Sequence, residues 1–134
     1  DLVAIVQDEI HLPGVYSLEY LHIYSGTAAI PTATVRVRVH EEVREGAAVG
    51  DGPVDAVYRA ISQLTNATAR LDRYDIRGVT SGTEALGEAT VQLEDGGRKV
   101  TGRGTSTDVI EASAKAYIDG LNQLARTAGR RASA

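Results

Sequence analysis

Gly50-Asp51-Gly52-Pro53-Val54-Asp55-Ala56-Val57 and Gly102-Arg103-Gly104-Thr105-Ser106-Thr107-Asp108-Val109 share one plan. Each sets two glycines one residue apart, then helix-starting residues, then an amphipathic helix. In the first, Pro53 suits the first helical position, where its missing N–H leaves no bond unmade. In the second, Thr105, Ser106 and Thr107 are candidate N-caps, and Asp108 brings negative charge to the first turn. Such a helix start carries free N–H groups and the positive end of a dipole, so it can hold a carboxylate or a phosphate. It can also be no more than a cap and a tight turn. Finding the device twice favours a shared role.

The duplication extends upstream. Ser25-Gly26-Thr27 matches Ser81-Gly82-Thr83, and Ala33-Thr34-Val35 matches Ala89-Thr90-Val91, an offset of 56 residues. Matching the glycine pairs lowers the offset to 52, which would give the first copy four extra connecting residues. Two copies are too few for a solenoid, so the pattern predicts two modules about a pseudo-twofold axis.

Alternation within each copy predicts the elements. Tyr16 to Tyr24 reads as a strand, and Ala33, Val35, Val37 and Val39 alternate with polar residues as a half-buried one. Glu41 to Gly46 reads as a turn and Ala47 to Val49 as a short third strand. Val54, Val57, Ile61 and Leu64 form a helical stripe. In the second copy Arg70 to Thr80, the alternating run Ala89 to Leu93, and Arg98 to Gly102 read as strands, with a hairpin at Asp95-Gly96-Gly97. A helix is expected from Ser106 to Leu124. The fold class is α+β: two pseudo-twofold-related β-β-β-α modules with helices packed on mainly antiparallel sheets. Residues 1–15 read as a linker from an upstream segment, with a short helix over Asp1 to Ile10. The domain spans 16–126, in modules of about 16–66 and 69–126, and 127–134 is expected to be a disordered tail. Tyr-rich strands beside a small-residue ridge of Ala112, Ala116 and Gly120 predict that a second copy covers one face.

Composition narrows the function. The 134 residues carry a net charge of −4, which argues against a nucleic-acid surface. Without cysteine there is neither a disulfide nor a thiolate metal site. No run is apolar enough to span a membrane and no signal peptide opens the chain, so a cytoplasmic protein is expected. The absence of Met, with Asp at position 1, reads as a piece of something longer. Neither glycine pair completes a dinucleotide or P-loop motif, because Asp55 and Thr107 stand where a third glycine belongs. His11, His22 and His40 have no metal-ligand spacing. No catalytic residues and no metal site are identified.

A helix start favours a carboxylate. A nearby acid (Asp51, Asp55 or Asp108) favours an ammonium. Val54, Val57, Ala60, Ala112 and Ala116 favour an aliphatic side chain. Together these describe a site for a free aliphatic amino acid, although each acid can also be a plain cap. The candidate site is Gly50, Asp51, Gly52, Pro53, Val54, Asp55, Val57, Ala60, Gly104, Thr105, Ser106, Thr107, Asp108 and Ala112. A Cβ at Gly50 or Gly52 is expected to crowd it or to demand a disfavoured φ.

Ser25-Gly26-Thr27, Ile30 to Val35, Gly50 to Ala56, Ala85 to Ala89 and, most specifically, Gly102 to Tyr117 resemble the C-terminal regulatory domain of 2-isopropylmalate synthase. The resemblance covers roughly Tyr16 to Leu124. It implies two β-β-β-α modules that form a homodimer and bind L-leucine, the end product, for feedback inhibition. It also implies an enzyme fragment: the catalytic domain would be a separate metal-dependent barrel that condenses acetyl-CoA with 2-oxoisovalerate. The divalent metal is expected in that barrel, and no cofactor in this stretch. A similar domain in citramalate synthase senses isoleucine, so another branched-chain amino acid stays open as effector, as does a dimerisation module without ligand.

Overall fold

A computed structural model describes residues 14–82 and 84–133. The expected helix over Asp1 to Ile10 lies outside the described residues. The order is β1 (Tyr16–Gly26), β2 (Ala29–Val39), β3 (Glu42–Val49), α1 (Pro53–Thr65), β4 (Arg70–Ser81), β5 (Glu84–Asp95), β6 (Arg98–Ser106) and α2 (Val109–Ser133). The β-β-β-α pattern thus occurs twice, as an α+β fold. The strands form two separate antiparallel sheets, β1-β2-β3 and β4-β5-β6.

Alternation decides which face is buried. Ala33, Val35, Val37 and Val39 on β2 point inward, as do Ala89, Val91 and Leu93 on β5. Helix α1 covers the inner faces of β2 and β3 with Val57, Ala60 and Ile61. Helix α2 covers β5 and β6, and also touches β1 and α1. Each fully buried Val, Leu or Ile contributes about 1.5–3 kcal/mol, which makes this shared interior the main source of stability.

Three expectations need correction. First, the third strand is longer: β3 begins at Glu42, and the turn is only His40-Glu41, with His40 left-handed at φ 56. Its inward positions are Arg44, Gly46 and Ala48, which hide the alternation. Arg44 is held inside because its Nη1 donates to the Leu64 carbonyl at 2.9 Å, near the end of α1.

Second, the offset of 56 persists to the helices, which start at Pro53 and Val109. The first copy therefore has no extra residues. Gly102 and Gly104 correspond in place to Gly46 and Ala48, while Gly50 and Gly52 correspond to Ser106 and Asp108. The second glycine pair is not a loop; both residues lie in β6. A Cβ on Gly102 would sit 2.2 Å from the Ala116 carbonyl, and one on Gly104 would sit 2.4 Å from that of Ala112. These glycines let a strand backbone lie directly on a helix backbone.

Third, α2 starts at Val109 rather than Ser106, and its backbone stays helical through Ser133, across most of the expected tail at 127–134. The Asp95-Gly96-Gly97 turn is as read, with Gly96 at φ 59 and Gly97 at φ 81. Glycine adopts positive φ without a side-chain penalty, so Gly-Gly suits a turn that needs two such residues in succession.

Candidate functional site

At the start of α1, the Gly50 N–H donates to the Pro31 carbonyl at 3.0 Å, which pins the chain to the start of β2. A Cβ on Gly50 would meet the Ala56 nitrogen at 2.4 Å, so the backbone here lies against the first helical turn. Gly52 is the N-cap, extended at φ −154. A Cβ there would meet nothing within 4 Å. A Cβ at Gly50 thus crowds the chain's own helix start, while Gly52 leaves room for one and its φ suits any residue.

Asp55 already serves the helix end. Its Oδ2 accepts from the Asp51 N–H at 2.9 Å and from Arg59 Nε at 3.0 Å. It acts as a cap and as an i,i+4 partner, the bland reading of its charge. The Asp51 carboxylate is exposed and has no hydrogen-bond partner among the described residues. Pro53 and Val54 are half-buried beside it. Val57 and Ala60 are fully inside the core and offer no surface to a ligand in this chain alone.

At the start of α2, Asp108 is the cap: its Oδ1 accepts from the N–H of Ile110 at 2.8 Å and of Glu111 at 3.4 Å. Ser106 Oγ accepts from the Asp108 N–H at 3.1 Å and donates to Glu111 at 2.9 Å. Thr105 and Thr107 are exposed, and the Thr105 carbonyl accepts from Lys115 Nζ at 3.4 Å. Gly104 and Ala112 are buried against each other. So Ser106, Asp108 and Glu111 form one network, while Gly104 and Ala112 belong to packing.

The sequence reading missed the neighbour of this network, strand β1. A groove of about 490 Å³ runs between β1 and the start of α2. Leu18, Leu21 and Ile23 line it with aliphatic surface, and Asp108 and Glu111 line it with carboxylates. The register break between Leu18 and Tyr20 shifts the alternation that would have shown the phase. A second groove of about 320 Å³ lies beside α1, lined by Asp55, Tyr58, Arg59, Leu71 and Tyr117 among others. Neither groove draws on both helix starts.

Tyrosines join the two modules. The rings of Tyr58 on α1 and Tyr117 on α2 stack at 4.7 Å, and Tyr74 on β4 meets Tyr58 edge-on at 6.0 Å. Ser113 Oγ donates to the Val109 carbonyl at 2.8 Å and accepts from Tyr74 Oη at 2.8 Å. Burial raises the Tyr58 phenol well above the ordinary tyrosine range, and neighbouring Tyr74 adds to it. Burial also raises the phenol of Tyr117.

The small-residue ridge is not open to a partner. Ala112, Ala116 and Gly120 are buried under β6 of the same chain. Exposed apolar side chains gather instead on the outer face of the first sheet: Tyr20, Tyr24, Ile30, Val43 and Val49. Register places Tyr24, Thr32 and Val49 in one row across that face. The outer face of the second sheet carries Arg73, Asp75, Arg77, Glu88 and Arg103 instead.

Among the described residues no group of three or more His, Asp or Glu could hold a metal, and no helix is long and apolar enough to cross a membrane.

Comparison with known proteins places these features in a family. A family model described as the LeuA allosteric (dimerisation) domain matches residues 1–125. A protein of Heliobacterium modesticaldum named 2-isopropylmalate synthase is 54% identical over 125 residues, which cover 92% of this chain and 24% of that protein. Proteins of the same name from Carboxydothermus hydrogenoformans and Pelotomaculum thermopropionicum are 53% and 48% identical, each over 92% of this chain and 25% of their own length. The chain spans about a quarter of the curated relatives it matches.

Proposed function

This chain belongs to the LeuA allosteric (dimerisation) domain family, and from that premise we propose that it is the leucine-sensing regulatory part of a 2-isopropylmalate synthase. L-leucine binds at the start of α1. One observation carries the reading: the row Tyr24-Thr32-Val49, with exposed Tyr24 and Val49 flanking half-buried Thr32, ends at Gly50-Asp51, where an unpartnered carboxylate meets a helix start.

Pro53 has no N–H and the Ala56 N–H donates to the Gly52 carbonyl, so the N–H groups of Val54 and Asp55 take the leucine carboxylate. Asp51 takes the ammonium, since Asp55 is committed to the cap. The isobutyl group lies against Val54 and Val49, the half of the site this chain supplies. A second copy seated on the outer face of the first sheet supplies the rest and excludes water. A homodimer and an effector site are then one structure.

The catalytic domain of the full-length protein, condensing acetyl-CoA with 2-oxoisovalerate in the cytoplasm, is the partner that reads out the signal. Feedback inhibition is a coupling free energy: leucine must bind the less active state more tightly than the active one. The divalent metal belongs to that catalytic domain.

Calorimetric titration of the 134-residue chain with leucine, isoleucine and valine tests the reading. Leucine should bind most tightly, and Asp51→Ala should weaken it more than tenfold, because removing one partner of a desolvated charge pair typically costs about 2–5 kcal/mol. Tighter binding of isoleucine would favour the regulatory domain of a citramalate synthase. Binding of none would leave a dimerisation module without ligand.

A further inference from the structure

We propose that Arg98 holds the carboxylate of a small aliphatic acid in a pocket remote from both helix starts. Nε and Nη1 of Arg98 are shut off from solvent and have no hydrogen-bond partner. Arg98 is half-buried as a whole, yet leaving these two donors closed off with unmade hydrogen bonds is costly, and native chains seldom retain such donors without a use. Asp95 is the strand partner of Arg98 across the hairpin turn, but its carboxylate makes no ion pair with the guanidinium among the described residues. Its two oxygens accept from Thr68 Oγ1 at 3.1 and 3.0 Å. Two guanidinium nitrogens are left without a partner at the edge of a pocket that Arg98 lines.

The space beside it fits a small molecule. Arg98 lines a pocket of about 150 Å³ between the end of α1 and the middle of α2. A single water needs only about 10–15 Å³ of such space, so the pocket has room for a carboxylate with a short carbon chain. Leu121, Leu124 and Ala125 of α2 give it an apolar wall. A carboxylate matches the planar fork of a guanidinium with two parallel hydrogen bonds. The last carbonyls of α1, around Thr65 and Asn66, add partial negative charge to the opposite wall. A singly charged carboxylate suits that balance better than a dianionic phosphate. This site shares no lining residue with the groove at the start of α2 or with the Asp51 region, so it stands or falls apart from the leucine reading.

The experiment titrates the 134-residue chain with butyrate and with butyramide, its uncharged match, and follows the backbone amides by NMR. Butyrate should shift Arg98 and residues 121–125 and bind at least tenfold more tightly than butyramide. Arg98→Gln should lose that preference without lowering the melting temperature, because it removes closed-off donors that have no partner. Should Arg98→Gln fail to fold, Ala125→Leu narrows the pocket while keeping the guanidinium, and it too should abolish the shifts. A third titration with 2-aminobutyrate identifies the source. Tighter binding than butyrate makes the ligand an amino acid with Asp95 facing its ammonium, and weaker binding makes it an acid without an amine. The proposal is overturned if butyrate and butyramide bind alike, if neither shifts these amides up to about 10 mM, a weak-binding limit, or if Arg98→Gln keeps the preference for butyrate.

Discussion

The side-chain amide of Asn122 completes both backbone hydrogen bonds of Tyr16. Its Oδ1 accepts from the Tyr16 N–H at 2.8 Å, and its Nδ2 donates to the Tyr16 carbonyl at 2.9 Å. The two residues lie 106 positions apart, so a single side chain of α2 acts as a pairing partner for the first residue of the first sheet.

Asn122→Leu should therefore destabilise the chain by about 1–3 kcal/mol, the cost of leaving partly buried polar groups unpaired. Hydrogen exchange should speed up at the beginning of β1 while β5 keeps its protection. Chemical denaturation together with exchange measures both. Unchanged exchange at Tyr16 would show that the pairing contributes nothing.

The two glycine pairs should respond in opposite ways. Gly104→Ala forces a methyl to 2.4 Å from a helix carbonyl, with backbone on both sides and no flexible side chain to yield. It should cost about 3 kcal/mol or more, the upper range for overpacking. Gly52→Ala meets open space and should cost no more than about 1 kcal/mol, the difference between a glycine and an alanine cap. Urea melts of the two variants beside the parent decide it.

Alkaline pH should unfold the chain from its tyrosines. The folded-state phenols of Tyr58 and Tyr117 lie above the ordinary value of 10.0 because of burial. Below pH 10 both states are protonated and the full stability is present. Above it the unfolded chain loses protons that the folded chain keeps, so stability falls as pH rises, by up to about 1.4 kcal/mol per pH unit for each group. Tyr58→Phe should flatten the fall. It should cost little at neutral pH, since the Tyr58 hydroxyl is buried without a hydrogen-bond partner. Melts between pH 8 and about 11 show whether the slope changes.

Tyr24→Glu should shift the chain from dimer to monomer. Tyr24 is 65% exposed in one chain and heads the apolar row that we assign to the partner. Two like charges brought together at a symmetric interface oppose association. Sedimentation at tens of micromolar, read against Arg73→Glu on the other sheet as a control, checks the assignment. A dimer that survives Tyr24→Glu and dissociates with Arg73→Glu would move the interface to the second sheet.

Much of this architecture could be read from residue order, where one chemical signal had one structural cause. The Val35-Val37-Val39 alternation and the Asp95-Gly96-Gly97 turn are of that kind. Strand β3 was read at Ala47 to Val49, but its first half was taken for a turn because the inward positions there are Arg44 and Gly46, which carry no apolar signal. The second glycine pair misled because glycine serves two ends that look alike in sequence. At Gly50 it lets the chain hug a helix start, and at Gly102 and Gly104 it lets a strand lie on a helix. Among the site residues, Asp51 keeps a free carboxylate, whereas Asp55 and Asp108 turn out to be caps. Only distances could separate those roles. The groove along Leu18 to Ile23 left no trace in spacing, because it is formed by two elements far apart in the chain.

The contact between β6 and α2 also governs how the domain can move. Gly102 and Gly104 leave no side-chain cushion between the two backbones, so α2 and the second sheet must travel as one rigid body. Helix α1 rests on the first sheet through Val57 and Ile61, and it travels with that sheet. Between these bodies lie the stacked rings of Tyr58 and Tyr117, the edge-on Tyr74 and the Asn122–Tyr16 hydrogen bonds. A push at the start of α1 would therefore be passed across this seam to α2 rather than absorbed between the modules.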